Sequence, residues 1–261
     1  MSDEPRVDVS FDNGIARLTL NNPKRKNAIT IPMTEQIAEF CQRVETDSSI
    51  GAVIVDSEGS YFCSGADTRD LAANSAEPAS PGAVARTSAV YGSFVRVGML
   101  PVPTIALVKG GAVGAGLNLA MAADIMLVTP DAVLDSGFLA RRIHPGGGHL
   151  RMLGRSMGYQ QSVAMAVCGA ALSGEDAVAR GFAWAALPAE ELLDAALDLS
   201  RLPAADPELA RRIKLSATVE LEKGMSWAAA VEVERGVQMW SLGRKGEKAW
   251  EQKPDKPKPG Q

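Results

Sequence analysis

Histidine is almost missing from this 261-residue chain: there are two, His144 and His149. Any chemistry that needs an imidazole near neutral pH therefore falls on one short stretch. Cysteine is scarce as well. Cys41, Cys63 and Cys168 are an odd, widely spaced set with neither metal-ligand nor redox spacing. No disulfide framework and no metal site are expected from them, and reduced thiols point to the cytoplasm. No apolar run approaches the roughly 18 residues of a membrane span, and the acidic start Met1-Ser2-Asp3-Glu4-Pro5 has no apolar core of a secretion signal. An excess of positive charge is also lacking: Lys+Arg 27 against Asp+Glu 31 leaves −4. That balance argues against a nucleic-acid partner and suits a small metabolite.

What is present is ordinary for a globular protein, with 46% hydrophobic and 22% charged residues and enough length for one sizeable domain with a helical appendage. Val7, Val9 and Phe11 alternate with polar residues, Asp12-Asn13-Gly14 signals a turn, and Ile15 to Leu20 alternates again, so a β-hairpin opens the chain. A helical stripe follows at Met33, Ile37, Cys41 and Val44. Ala52 to Val55, Thr104 to Val108 and Ile125 to Val128 read as strands covered on both faces. Strands alternating with helices predict an α/β fold with a largely parallel sheet.

Asn74 to Gly82 is small, polar and proline-containing, and predicts a flexible loop able to act as a lid, before a helix from Ala83 to Val97. Further helices are expected over Leu150 to Cys168 and from Ser173, an N-cap, to Arg180, with Gly181 beyond. Two more follow from Asp206, broken near Gly224. Their apolar residues, among them Leu215, Trp227, Val231, Val237 and Trp240, suit either a subunit interface or packing on the parent domain. The chain thus divides into a core over 1–200, a helical region over 201–250 and a charged, proline-rich tail over 251–261 expected to be disordered.

Between two of the buried strands lies Lys109 to Asp124, with four glycines within seven residues leading into a helical run. Bare backbone at a helix start can bind an anion, and a tight structural turn explains the same glycines. Two other stretches stand with it: Pro23-Lys24-Arg25-Lys26-Asn27-Ala28 and Phe62-Cys63-Ser64-Gly65-Ala66-Asp67. In this order and spacing the three resemble the crotonase superfamily, the enoyl-CoA hydratase/isomerase family, over about residues 5 to 250, with Leu172 to Gly181 matching a further family stretch.

The resemblance implies a spiral of ββα units and a homotrimer, or a dimer of trimers, built through the C-terminal helices. It also implies an acyl-CoA substrate of the kind met in fatty acid metabolism, held bent, with coenzyme A carried by the substrate and no further cofactor required. Two backbone N–H groups would bind the thioester oxygen, those of Ala66 and Ala115, the latter where relatives often have glycine. Preorganised amides in a dry site stabilise an enolate or tetrahedral oxyanion by several kcal/mol. Lys24, Arg25 and Lys26 would meet the adenine and phosphate end, with Ala28, Ser64, Ala66, Asp67 and Gly114 also on the coenzyme A path; Asp67 reads foremost as a helix cap.

The departure lies in the acid and base. Where family hydratases carry two glutamates, this chain has Asn118 and Phe138, and neither can ionise. Substitutes are few. His144 and His149 flank Pro145-Gly146-Gly147-Gly148, where an imidazole serves either proton transfer or capping and core packing. Asp135 is either an acid off the glutamate positions or a turn aspartate, and Asn118 can hydrogen-bond a water or a carbonyl. The expectation is an enzyme of this family that stabilises a thioester enolate or oxyanion with non-standard acid/base residues, doing isomerisation, hydrolysis or decarboxylation. The alternative is a non-catalytic acyl-CoA-binding protein.

Overall fold

The computed structural model describes residues 4–222 and 224–245. Strands β1 (Arg6–Asp12) and β2 (Ile15–Asn21) pair antiparallel, with Asp12 opposite Ile15. Asn13 and Gly14 turn between them at φ +48° and +78°, the left-handed values that a two-residue hairpin turn matched to strand twist requires. Helix α1 (Ile31–Thr46) buries Met33, Ile37, Cys41 and Val44 on one face and leads to β3 (Ala52–Ser57). Then come α2 (Thr68–Ser75), α3 (Pro81–Gly98), β4 (Thr104–Val108), β5 (Gly111–Val113) and α4 (Ala115–Ala122). β6 (Ile125–Val128), β7 (Val133–Asp135) and α5 (His149–Ala166) repeat that order, and α6 (Gly174–Ala179) and the short β8 (Ala185–Ala186) follow. The last helices are α7 (Leu192–Ala205), α8 (Pro207–Ala217) and α9 (Trp227–Lys245).

The large sheet runs β1-β2-β3-β4-β6-β8 and is parallel from β2 onward, while β5 and β7 form a small parallel sheet that Cys63 extends by a bridge to Ala112. Each turn of the chain thus places one strand in the large sheet, one in the small sheet, and a helix outside. This is the mixed α/β arrangement of ββα units expected from the sequence. Alternation along the central strands sends Leu18, Val53, Val55, Ala106 and Val108 into the main core with α1 and α3. Ile54, Ile105, Leu107 and Leu127 face the other way, against Leu192 and Ala196 of α7.

Three sequence expectations change. α7 was not assigned from the sequence, and the boundary drawn at residue 200 falls inside it. The loop over Asn74 to Gly82 shrinks to residues 76–80, because α2 runs to Ser75 and Ser80 accepts a hydrogen bond from the Ala83 N–H to cap α3, with Pro81 at its first position. Asn74 further ties the two helices, donating to Thr87 Oγ1 and accepting from Arg86 Nε at 2.7 Å. The third concerns α5, which is interrupted at Gly158, where φ is 76°.

The break expected near Gly224 is present between α8 and α9. Leu215, Leu221 and Trp227 stand exposed there, whereas Trp240 is covered by the Arg212 guanidinium, 3.9 Å from the ring centre. The tail over 251–261 lies outside the described residues. Among the described residues, no helix is long and apolar enough to cross a membrane.

Candidate active site

The glycine-rich stretch builds its geometry from the backbone. Ile29 N–H donates to the Gly65 carbonyl and Asp67 N–H to the Ile29 carbonyl, a parallel bridge centred on Ala66. In such a bridge the N–H and C=O of the central residue face the other side. Ala115 is the first residue of α4, so its N–H has no partner within the helix. Gly114 turns the chain into α4 at φ 56°, ψ −119°, which a side chain would strain. A Cβ placed on Gly65 would sit 3.7 Å from the Ala115 nitrogen, so the two segments are immediate neighbours. Gly116 is where α4 meets the Cys63 strand: a Cβ there would lie 2.2 Å from the Cys63 carbonyl oxygen.

Ala66 and Ala115 border a cavity of about 870 Å³, counting its open mouth, whose walls include Val90, Val113, Phe138 and Ile143. That apolar lining suits an organic ligand. Ser64, Gly114, Asn118 and His144 also line it.

The cationic loop is anchored to this site by buried polar contacts. Asn27 is fully buried; its amide donates to the Glu58 and Tyr61 carbonyls and its oxygen accepts from the Asn22 N–H. Ser64 ties the loop to the segment that carries Ala66, its hydroxyl donating to the Arg25 carbonyl and its N–H to that of Lys26. Ala28 is buried beside it. Asp67 caps α2, accepting from the Arg69 N–H, and pairs with both Arg25 (3.2 Å) and Arg69 (2.9 Å). The Arg69 side-chain hydrogen bond, then its N–H and the nearby arginines, hold the Asp67 carboxyl below the usual carboxylate range against the opposing effect of burial. Of the three loop cations, Arg25 is engaged with Asp67, Lys24 is exposed, and Lys26 lies 5.0 Å from the Tyr61 ring centre.

Around Asn118 and Phe138 the candidates separate. Asp135 lies in a turn: its carboxylate accepts from the Gly137 N–H at 2.9 Å and its carbonyl from the Gly114 N–H. It braces the Gly114 turn and is absent from the cavity wall. His144 is exposed on that wall, with Nδ1 2.6 Å from the Pro145 carbonyl; Nδ1 must donate there, which leaves Nε2 of the neutral ring as an acceptor. His149 is 1% exposed, bonded to Asn118 and Ser136 at 2.7 Å each, and touches Phe138 edge-on at 4.9 Å. Burial pushes its pKa down to about 4, so it is neutral at physiological pH. Ser136 was not singled out in the sequence; an isolated serine in a short strand connection carries no signal there. Burial also pushes the Cys41 and Cys63 thiols up to about 12, which removes them as nucleophiles. Among the described residues, no group of three or more His, Cys, Asp or Glu is arranged to hold a metal ion.

ββα repeats that bring two glycine-framed backbone amides to the edge of an apolar cavity define the class, and comparison with known proteins agrees. The family described as Enoyl-CoA hydratase/isomerase matches residues 10–244, and the chain belongs to that family, within the crotonase superfamily. It is similar to a Mycobacterium tuberculosis protein named probable enoyl-CoA hydratase EchA14, 40% identical over 213 residues that cover 80% of this chain and 81% of that one. It is 33% identical over 197 residues to the 1,2-epoxyphenylacetyl-CoA isomerase of Escherichia coli, 75% of each chain. Among solved structures, Pseudomonas aeruginosa PA4980 superposes with a TM-score of 0.80 at 28% identity, over 90% of this chain and 99% of that one. An enoyl-CoA hydratase from Polaromonas sp. JS666 shares the fold at a TM-score of 0.84 and 24% identity, covering 94% and 96%.

Proposed function

We propose that this protein is an enzyme that binds an acyl-CoA thioester and stabilises its enolate or tetrahedral oxyanion through the Ala66 and Ala115 N–H groups. The observation that carries this reading is the convergence of those two backbone segments at one apolar cavity. Each such donor is worth roughly 3 kcal/mol of transition-state stabilisation. The polyphosphate end of coenzyme A lies toward Lys24, Arg25 and Lys26, whose positive charge suits it. The acyl chain enters the cavity beside Phe138, which gives it an apolar wall.

Two-glutamate hydration of an enoyl thioester is absent, because neither Asn118 nor Phe138 exchanges a proton. His144 is the base we assign: it lines the cavity and its Nε2 accepts when Nδ1 donates to Pro145. It takes a proton from the thioester α-carbon, and the electron pair moves onto the oxygen held by the two amides. Isomerisation and decarboxylation both pass through that enolate.

The test has two parts. Crotonyl-CoA should lose its conjugated absorbance slowly or not at all, and rapid hydration would refute the missing-glutamate argument. Butyryl-CoA in D2O should exchange its α-protons, with His144→Ala slowing exchange by about 10²- to 10⁴-fold. Binding that raises the melting temperature without exchange would replace the enzyme with an acyl-CoA-binding protein. No binding at all would end the thioester reading.

A further inference from the structure

Asn118 stands where the family resemblance implies a glutamate, and it is part of a hydrogen-bonded chain that runs through His149 to Ser136. All three residues are 1% exposed. The partners fix the direction of every bond. The Gly146 carbonyl only accepts, so the Asn118 atom 3.1 Å from it is the amide nitrogen. The Asn118 oxygen therefore faces His149 Nδ1 at 2.7 Å, and Nδ1 must carry the proton. His149 Nε2 is then an acceptor and takes the Ser136 hydroxyl proton at 2.7 Å. A flipped carboxamide would set its oxygen against the Gly146 oxygen and lose that bond in a buried place, even if His149 changed tautomer to accept from the NH2.

This arrangement leaves one hydrogen of the Asn118 amide without a partner among the described residues, on a side chain that lines the cavity. Asn118 lies three residues after Ala115 on α4, close to one turn, or about 5 Å along the helix. From a thioester oxygen on Ala115, that distance reaches substituents on the second or third acyl carbon. A glutamate in this place would accept hydrogen bonds; the locked carboxamide donates one.

We propose that His149, steadied by Ser136, is a positioning residue that locks the Asn118 carboxamide as a fixed hydrogen-bond donor to an acceptor oxygen near the β-carbon of the acyl chain. The inference rests on the thioester reading above. Neutrality of the buried imidazole keeps the chain in one state near pH 7, since protonation would turn Nε2 into a donor and force the Ser136 hydroxyl to rotate.

The probes are butyryl-CoA and acetoacetyl-CoA, which differ by the β-carbonyl oxygen. Titration calorimetry should give a 3- to 10-fold tighter Kd for acetoacetyl-CoA, the span of about 0.6 to 1.4 kcal/mol expected of one neutral hydrogen bond. Asn118→Leu should bring the ratio of the two Kd values to about one, whatever happens to the absolute affinities, and Ser136→Ala should reduce the preference in part. Imidazole 15N shifts at pH 7 should report the Nδ1–H tautomer of His149 in the wild type, which a merely space-filling histidine has no reason to adopt. Equal affinity for the two thioesters, a preference that survives Asn118→Leu, or an Nε2–H tautomer would overturn the proposal while leaving thioester binding intact. Failure of both thioesters to bind would remove the thioester reading and this inference with it.

Discussion

His149 shows how one side chain takes its chemistry from its surroundings. Packed against Phe138 and bonded to Asn118 and Ser136, it has no charged neighbour contributing to its shift; burial alone lowers its pKa from 6.5 to about 4. The unfolded chain therefore binds a proton near pH 6.5 that the folded chain resists until about pH 4. The penalty is absent above pH 6.5, grows as pH falls through that window, and reaches roughly 3 kcal/mol near pH 4. Chemical denaturation at pH 7.5 and pH 5 should show this loss, and His149→Gln should flatten it; an unchanged slope in that variant would contradict the assignment. The sequence favours His144, five residues earlier, as the base, but carries no sign of the burial and partners that make His149 neutral. The polar signal that was legible is Asn118 itself, a carboxamide in an otherwise apolar helix, which must find partners when buried.

At the scale of elements, α4 depends on how closely its first turn approaches the Cys63 strand. The approach exists because Gly116 has no Cβ; an added one would meet the Cys63 carbonyl at 2.2 Å. Gly116→Ala is expected to cost at least 1–3 kcal/mol and to lower the melting temperature by several degrees. Because the two clashing segments carry the Ala66 and Ala115 amides, one each, acyl-CoA affinity should fall with it; a variant with unchanged stability would mean that the Cys63 segment yields without cost. The loop between α2 and α3 illustrates the opposite error. Its composition reads as flexible, yet a serine cap, a proline at the first helical position and the Asn74 contacts to Arg86 and Thr87 leave five connecting residues. Helix α7 escaped the sequence reading although it covers a whole face of the sheet, with Pro203 accommodated in its last turn.

For the whole molecule, the C-terminal helices carry the open question of assembly. Leu215, Leu221 and Trp227 are 64%, 81% and 87% exposed in the single chain, an apolar display that suits an interface between copies. Light scattering on the full chain should give three or six copies, and Trp227→Glu should shift the population toward monomer; a monomeric wild type would refute this.

The sequence by itself determined the architecture and the place of the glycine-framed turn that enters α4. Fully apolar strands, helical stripes and glycines are local signals, and backbone amides need only the right turn to be aimed. It also determined what is missing, since no fold can make Asn118 or Phe138 ionise. The tertiary structure alone decided which histidine faces the cavity and which is sealed into a neutral chain, and that Asp135 serves a turn. It likewise showed Arg25 already engaged with Asp67. The states of His149 and Arg25 depend on contacts between residues 13 to 42 positions apart, and on burial, neither of which is encoded in any short stretch of the chain.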